Sequence, residues 1–165
     1  MDGMIERQTE GEYQIERWAD YRRAYAELQG GLHRHKDLME WADAVMCAGA
    51  GHGDPVLSNL IAVEKADLGF ICSLDARIRE YPIVWRRIMV PRFIGMRDTG
   101  SSRGWKLATL KQIGEWLRMD FRSVAECLKH IPPQVEYDSK QIRAMMRSER
   151  KQRICKDSEN MQISS

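Results

Sequence analysis

The sequence predicts an all-α fold: a small helical domain with an N-terminal helical pair, a helix-turn-helix near its centre and a basic C-terminal helix. Three observations predict it. Apolar residues recur at spacings of three and four along most of the chain, as one buried helix face requires. Glycines and prolines stand at the ends of those runs, at Gly30-Gly31, Pro55, Pro82 and Pro132-Pro133, where helices stop or restart. Leu110 to Ile131, LKQIGEWLRMDFRSVAECLKHI, divides into two short amphipathic segments around a three-residue corner.

Length and composition bound the reading. The chain has 165 residues, 43% of them hydrophobic and 30% charged, enough for one good core plus a short appended piece. No apolar run approaches the roughly 18 residues of a membrane span, and the opening MDGMIERQTEGEYQ is too acidic and polar for a secretory leader. Cys47, Cys72, Cys127 and Cys155 are scattered without a CxxC pair, as in reduced cytoplasmic proteins. The net charge of +2 is small, but basic residues concentrate in two runs. Arg86, Arg87, Arg92, Arg97, Arg103 and Lys106 form one; Lys140, Arg143, Arg147, Arg150, Lys151, Arg153 and Lys156 form the other. The two bracket the central motif, as a phosphate-contacting surface would.

Taken in order, residues 1–11 read as disordered. A helix is expected over 12–28, with Ile15, Trp18, Tyr21 or Arg22, Tyr25 and Leu28 on one face and Gly30-Gly31 ending it. A second, over 37–48, carries Leu38, Trp41, Ala42, Val45 and Met46, and Trp18 and Trp41 are expected to pack the pair. The glycine-rich stretch 47–55 lacks GxxxxGK[ST] and reads as a connector. His33, His35, Cys47 and His52 fit no zinc template, so no metal and no cofactor are expected. A helical turn over 56–61 precedes a helix over 63–79 with Ala66, Phe70, Ile71, Leu74 and Ile78 on one face. Pro82 restarts a helix to Met89 or Val90, with Arg86 and Arg87 facing out, and Pro91 slows or kinks it. Residues 92–108 form a linker whose turn, 98–104, permits a short hairpin. Pro132-Pro133 is expected to end the motif sharply. Residues 132–155 follow as a separate basic helix, and 156–165 as a disordered tail.

The motif itself has a mechanical reading. Ile113 and Leu117 face inward on the first helix, Val124 and Leu128 on the second, and Met119 plugs the corner. Gly114 is small where the helices approach, Thr109 caps the first helix, and Asp120 stands where its carboxylate would cap the second. Arg118 occupies the corner position usually held by a left-handed glycine, at a cost of roughly 1 kcal/mol or more. Such a unit lays its second helix in a DNA major groove. The base-reading candidates are then Phe121, Arg122, Ser123, Glu126 and Lys129, with Lys111 and Gln112 placed for phosphates. Arg86, Arg87, Arg103, Lys106, Arg143 and Arg147 are further phosphate or polymerase candidates. Three alternatives stay open: Glu126 and Lys129 as plain solvated surface, Phe121 packed beneath the corner, and the whole unit as a helical hairpin inside a core. No acid–base pair, nucleophile constellation or metal spacing suggests an enzyme.

The order of parts resembles region four of bacterial sigma factors: a long helix, Tyr81-Pro82, an arginine-bearing helix, a linker, then Ile113…Leu117…Asp120…Val124…Leu128. More particularly it resembles the phage late-gene antitermination proteins of the Q type. Ile15-Glu16-Arg17-Trp18 is similar to the leucine-glutamate-arginine-tryptophan opening of one branch of that group. The resemblance implies a cytoplasmic protein that binds double-stranded DNA at a late promoter and then loads onto bacterial RNA polymerase, with or without its sigma factor. It implies that the bound protein carries the enzyme through pauses and terminators. A promoter- or operator-binding regulator without that activity, and a helical interaction protein, are the competing readings.

Overall fold

A computed structural model of the chain describes residues 8–29, 65–97 and 105–164, and in these the fold is all-α with almost no strand. The expected helix over 37–48 with Trp41, the glycine-rich stretch, the turn over 56–61 and the residues 98–104 lie outside the described residues. So do His33, His35, Cys47, His52 and Arg103.

Helix α1 spans Glu10–Gln29 and begins earlier than its apolar periodicity suggests. Thr9 and Glu12 explain the difference. The Glu12 amide donates to Thr9 Oγ1 at 3.2 Å, and the Thr9 amide donates to Glu12 Oε2 at 2.9 Å. Two amides that would lack partners are satisfied reciprocally. Over residues 8–11 the expected disorder is therefore corrected to a capped helix start, and residues 1–7 lie outside the described residues.

Helix α2 spans Lys65–Ile78 and α3 spans Ile83–Met89, with Pro82 at the N-cap of α3. A π-helical turn, Val90–Ile94, continues α3 through Pro91. Its open end is closed by partners outside the helix. Arg23 Nε donates to the Ile94 carbonyl at 2.9 Å, and the Ala108 amide donates to the Pro91 carbonyl at 2.9 Å. Strands β1 (Met96–Arg97) and β2 (Trp105–Lys106) then pair antiparallel, Met96 opposite Lys106, which is the short hairpin the turn residues permit. Helix α4 (Leu110–Leu117) and helix α5 (Phe121–Ile163) complete the chain.

Two apolar clusters organise these elements. In the larger, Ile15, Trp18 and Tyr21 of α1 meet Phe70, Ile71, Leu74 and Ile78 of α2 and Ile131, Val135 and Ile142 of α5. Each such fully buried side chain contributes about 1.5–3 kcal/mol over an exposed one. Trp18 thus packs on α2. The smaller cluster joins Ile88 of α3 to Ala108, Ile113 and Val124, with Leu110, Leu117, Met119 and Leu128 packed around them.

The larger cluster also buries charge. Asp75 is 2% exposed and accepts from Arg22 Nε at 2.6 Å and from Trp18 Nε1 at 2.9 Å. Asp138, 4% exposed, accepts from the Tyr81 hydroxyl at 2.5 Å. Burial first, and then the bond to Asp138, push the Tyr81 phenol well above its ordinary pKa, so it stays a donor.

Helix α5 overturns two expectations. It runs through Pro132 and Pro133 without a break and takes in the segment expected to be a disordered tail. Proline removes the amides that would bond the Leu128 and Lys129 carbonyls, which ordinarily kinks or ends a helix. Here Ile131 and Val135 are both fully buried against α1 and α2, so the core holds the chain in line on either side of the prolines. Gly11 of α1 lies so close that a β-carbon there would overlap the Pro132 carbonyl. Tertiary packing overrides local propensity at this point. The helix has 43 residues, about 64 Å at the usual rise. No helix among the described residues is long and apolar enough to cross a membrane.

Candidate nucleic-acid interface

The unit of α4, corner and α5 is built from its caps outward. Thr109 and Gln112 form a capping box: the Gln112 amide donates to Thr109 Oγ1 at 3.2 Å and the Thr109 amide to Gln112 Oε1 at 2.9 Å. Gln112 was expected to reach phosphate; its side-chain oxygen is instead spent on the cap. At the other end Arg118 adopts φ 53°, ψ 44°, the left-handed conformation that the glycine-like position requires. Among the described residues it alone, glycine aside, has positive φ. The turn it makes lets the Met119 amide close onto the Gly114 carbonyl at 2.9 Å. Gly114 is needed there, because a β-carbon would sit 2.8 Å from the Met119 carbonyl oxygen.

Asp120 holds the N-cap position of α5 with extended backbone, but its side chain makes no capping hydrogen bond. The expected carboxylate cap is thereby corrected. The first amides of α5 are left open, apart from Ser123 and Val124, which donate to the Asp120 carbonyl at 3.0 and 3.2 Å.

Inward and outward faces separate as the spacing predicts. Ile113 and Val124 are fully buried, with Leu117, Met119 and Leu128 packed around them. Phe121, Arg122, Ser123, Glu126 and Lys129 are all exposed on the first turns of α5. Phe121 at 54% exposure does not pack beneath the corner. Glu126 accepts from Lys129 at 3.2 Å and lies 3.5 Å from His130 Nε2. The Lys129 bond holds the Glu126 carboxyl below its ordinary range, so it remains an acceptor. Trp116, which the sequence reading passed over, is 39% exposed on α4. Its signal was legible: an aromatic at the position after Glu115, off the inward Ile113–Leu117 stripe.

The surrounding basic residues divide. Lys106 and Lys111 are exposed, on β2 and on the first turn of α4. Arg86 and Arg87 are partly buried rather than facing out, and Arg86 Nε is buried without a hydrogen-bond partner among the described residues. The Arg143 guanidinium stacks on the Phe70 ring, 4.3 Å from its centroid, which ties it to the core. Arg147 is exposed and lies beyond the core.

No family model, curated protein or solved structure matches the chain.

Proposed function

We propose that the chain is a DNA-binding transcription antitermination factor of phage late genes, a binding protein rather than an enzyme, acting in the bacterial cytoplasm. It binds promoter-proximal double-stranded DNA through a helix-turn-helix and engages RNA polymerase to carry it through pauses and terminators. The observation that carries the DNA-binding part is the corner. A non-glycine residue is held left-handed beside a glycine that the second helix overrides, and the next turns leave Arg122, Ser123, Glu126 and Lys129 in solvent. These side chains stand clear of the core on the first turns of the second helix, where a helix-turn-helix meets base edges. The polymerase part rests on the resemblance to sigma region four and to the Q-type proteins.

In this reading Arg122 pairs with guanine O6 and N7, Glu126 accepts from cytosine N4, and Ser123 and Lys129 read a base or a phosphate. Lys106 and Lys111 set the register on the backbone. The test is transcription in vitro from the cognate late promoter with a terminator downstream. Added protein should raise readthrough. Binding to the promoter without any change in readthrough would leave the simple regulator as the answer. Arg122→Ala should weaken specific binding by about 1–3 kcal/mol and leave non-specific binding nearly unchanged. Equal losses on cognate and unrelated DNA would remove Arg122 from the base-reading set.

A further inference from the structure

We propose that the outer half of α5 is a phosphate-contacting arm for duplex DNA. The inference rests on the helix-turn-helix reading and extends it beyond the domain body. From Arg147 to Ile163 every residue of α5 is exposed, so this length of helix stands clear of the core. It is nonetheless continuous with the candidate reading turns, in a single helix.

Helical phase makes the two ends one surface. Val124, Ile131, Val135 and Ile142 are the buried stripe of α5. Their spacings of seven, four and seven are close to whole turns, so the phase survives the prolines. Arg122, Lys129, Lys140, Arg147 and Lys151 recur at seven, eleven, seven and four, which are also near whole turns, on the opposite side. Arg150 lies about a quarter turn from that basic stripe, and Glu149 on the opposite side of the helix. Cations therefore recur along one side of α5 from the candidate reading turns into the arm, with Glu126 and Glu136 between them on the body. Lys140 is paired with Glu136 at 2.8 Å, whereas Arg147, Arg150 and Lys151 make no ion pair among the described residues.

The chemistry of the stripe favours duplex phosphates over other acidic partners. A duplex presents one charge per about 1.7 Å of axis and rewards a row of cations by counterion release. Single-stranded nucleic acid is held on aromatic platforms, and no aromatic residue follows Tyr137 in the chain. Protein interfaces centre on apolar anchors, and the exposed large apolar side chains of the arm, Ile154, Met161 and Ile163, all lie C-terminal to Arg147, Arg150 and Lys151.

The experiment compares the full chain with its Arg147→Ala, Arg150→Ala, Lys151→Ala triple variant. Alanine keeps the helix and the three side chains touch nothing in the core, so circular dichroism should be unchanged. Binding to a mixed-sequence DNA duplex is then followed across salt concentration. The triple variant should show a slope of log K against log salt smaller by about two to three, with cognate and unrelated duplexes weakened by the same factor. An unchanged slope, with Arg122→Ala still impairing specific binding, overturns the arm and leaves the helix-turn-helix reading intact. Loss of binding to single-stranded RNA or to polymerase, with duplex binding untouched, also overturns it. A parent chain that binds no duplex at any salt removes both.

Discussion

Arg118 sits in a backbone conformation that costs a residue with a β-carbon about 1–2 kcal/mol, and the corner depends on it. Glycine at that position would relieve the strain but enlarge the unfolded ensemble by about 0.4–1 kcal/mol. Arg118→Gly is therefore expected to stabilise the protein by about 0.5–1 kcal/mol, net of both effects. Gly114→Ala should do the reverse and cost about 1–3 kcal/mol, because its methyl meets the Met119 carbonyl backbone at 2.8 Å. Urea unfolding of both variants reads the two signs; a destabilised Arg118→Gly would mean that the arginine side chain contributes more than its backbone costs. A second residue-scale test falls on Asp75. Its carboxylate holds Arg22 and Trp18 in a core where both members of the ion pair are at most 3% exposed. Asp75→Ala removes the buried carboxylate that accepts from both side chains and should cost about 3–5 kcal/mol. A loss under about 1 kcal/mol, on the scale of a surface pair, would show that water reaches the site.

At the scale of elements, what was legible in the sequence is what local chemistry decides. The limits of α4, the Arg118 corner, the Thr109 cap and the start of α5 at Phe121 all follow from short-range rules. The inward Ile113–Val124 contact follows from spacing alone. The misses have a common cause, which is long-range packing. Pro132-Pro133 reads as a stop because proline forfeits two helical hydrogen bonds, and nothing local announces that Gly11 will cross at the Pro132 carbonyl. Asp75 and Asp138 look like solvated helix positions until Arg22 and Tyr81 arrive from 53 and 57 residues away. The candidate site was more legible than the core, since its residues follow one turn of chain. Gln112 is the exception, being equally suited to a phosphate and to the Thr109 cap that claims it.

At the scale of the whole molecule, the two clusters are braced by the same helices. Ile88 and Met89, neighbours on α3, enter different clusters, and α5 contributes Val124 to one and Ile131 to the other. Leu128 packs against both. Neither cluster can open without exposing the other's wall, so the body should unfold in one cooperative step. The outer part of α5 has no such support. In water a helix draws most of its stability from tertiary packing of one face, and from Arg147 onward every described residue of α5 is exposed. Far-ultraviolet ellipticity should accordingly fall in a shallow, non-cooperative phase on heating, before the fluorescence of buried Trp18 reports the main transition. A chain ending at Ser148 should lose the early phase while its main transition stays within about 0.5 kcal/mol of the parent. If the truncation instead lowers the main midpoint, the arm is packed on the body in solution. Its cations would then be unavailable to a duplex unless DNA first drew the arm away, and the salt slope of the arm variant would match that of the parent.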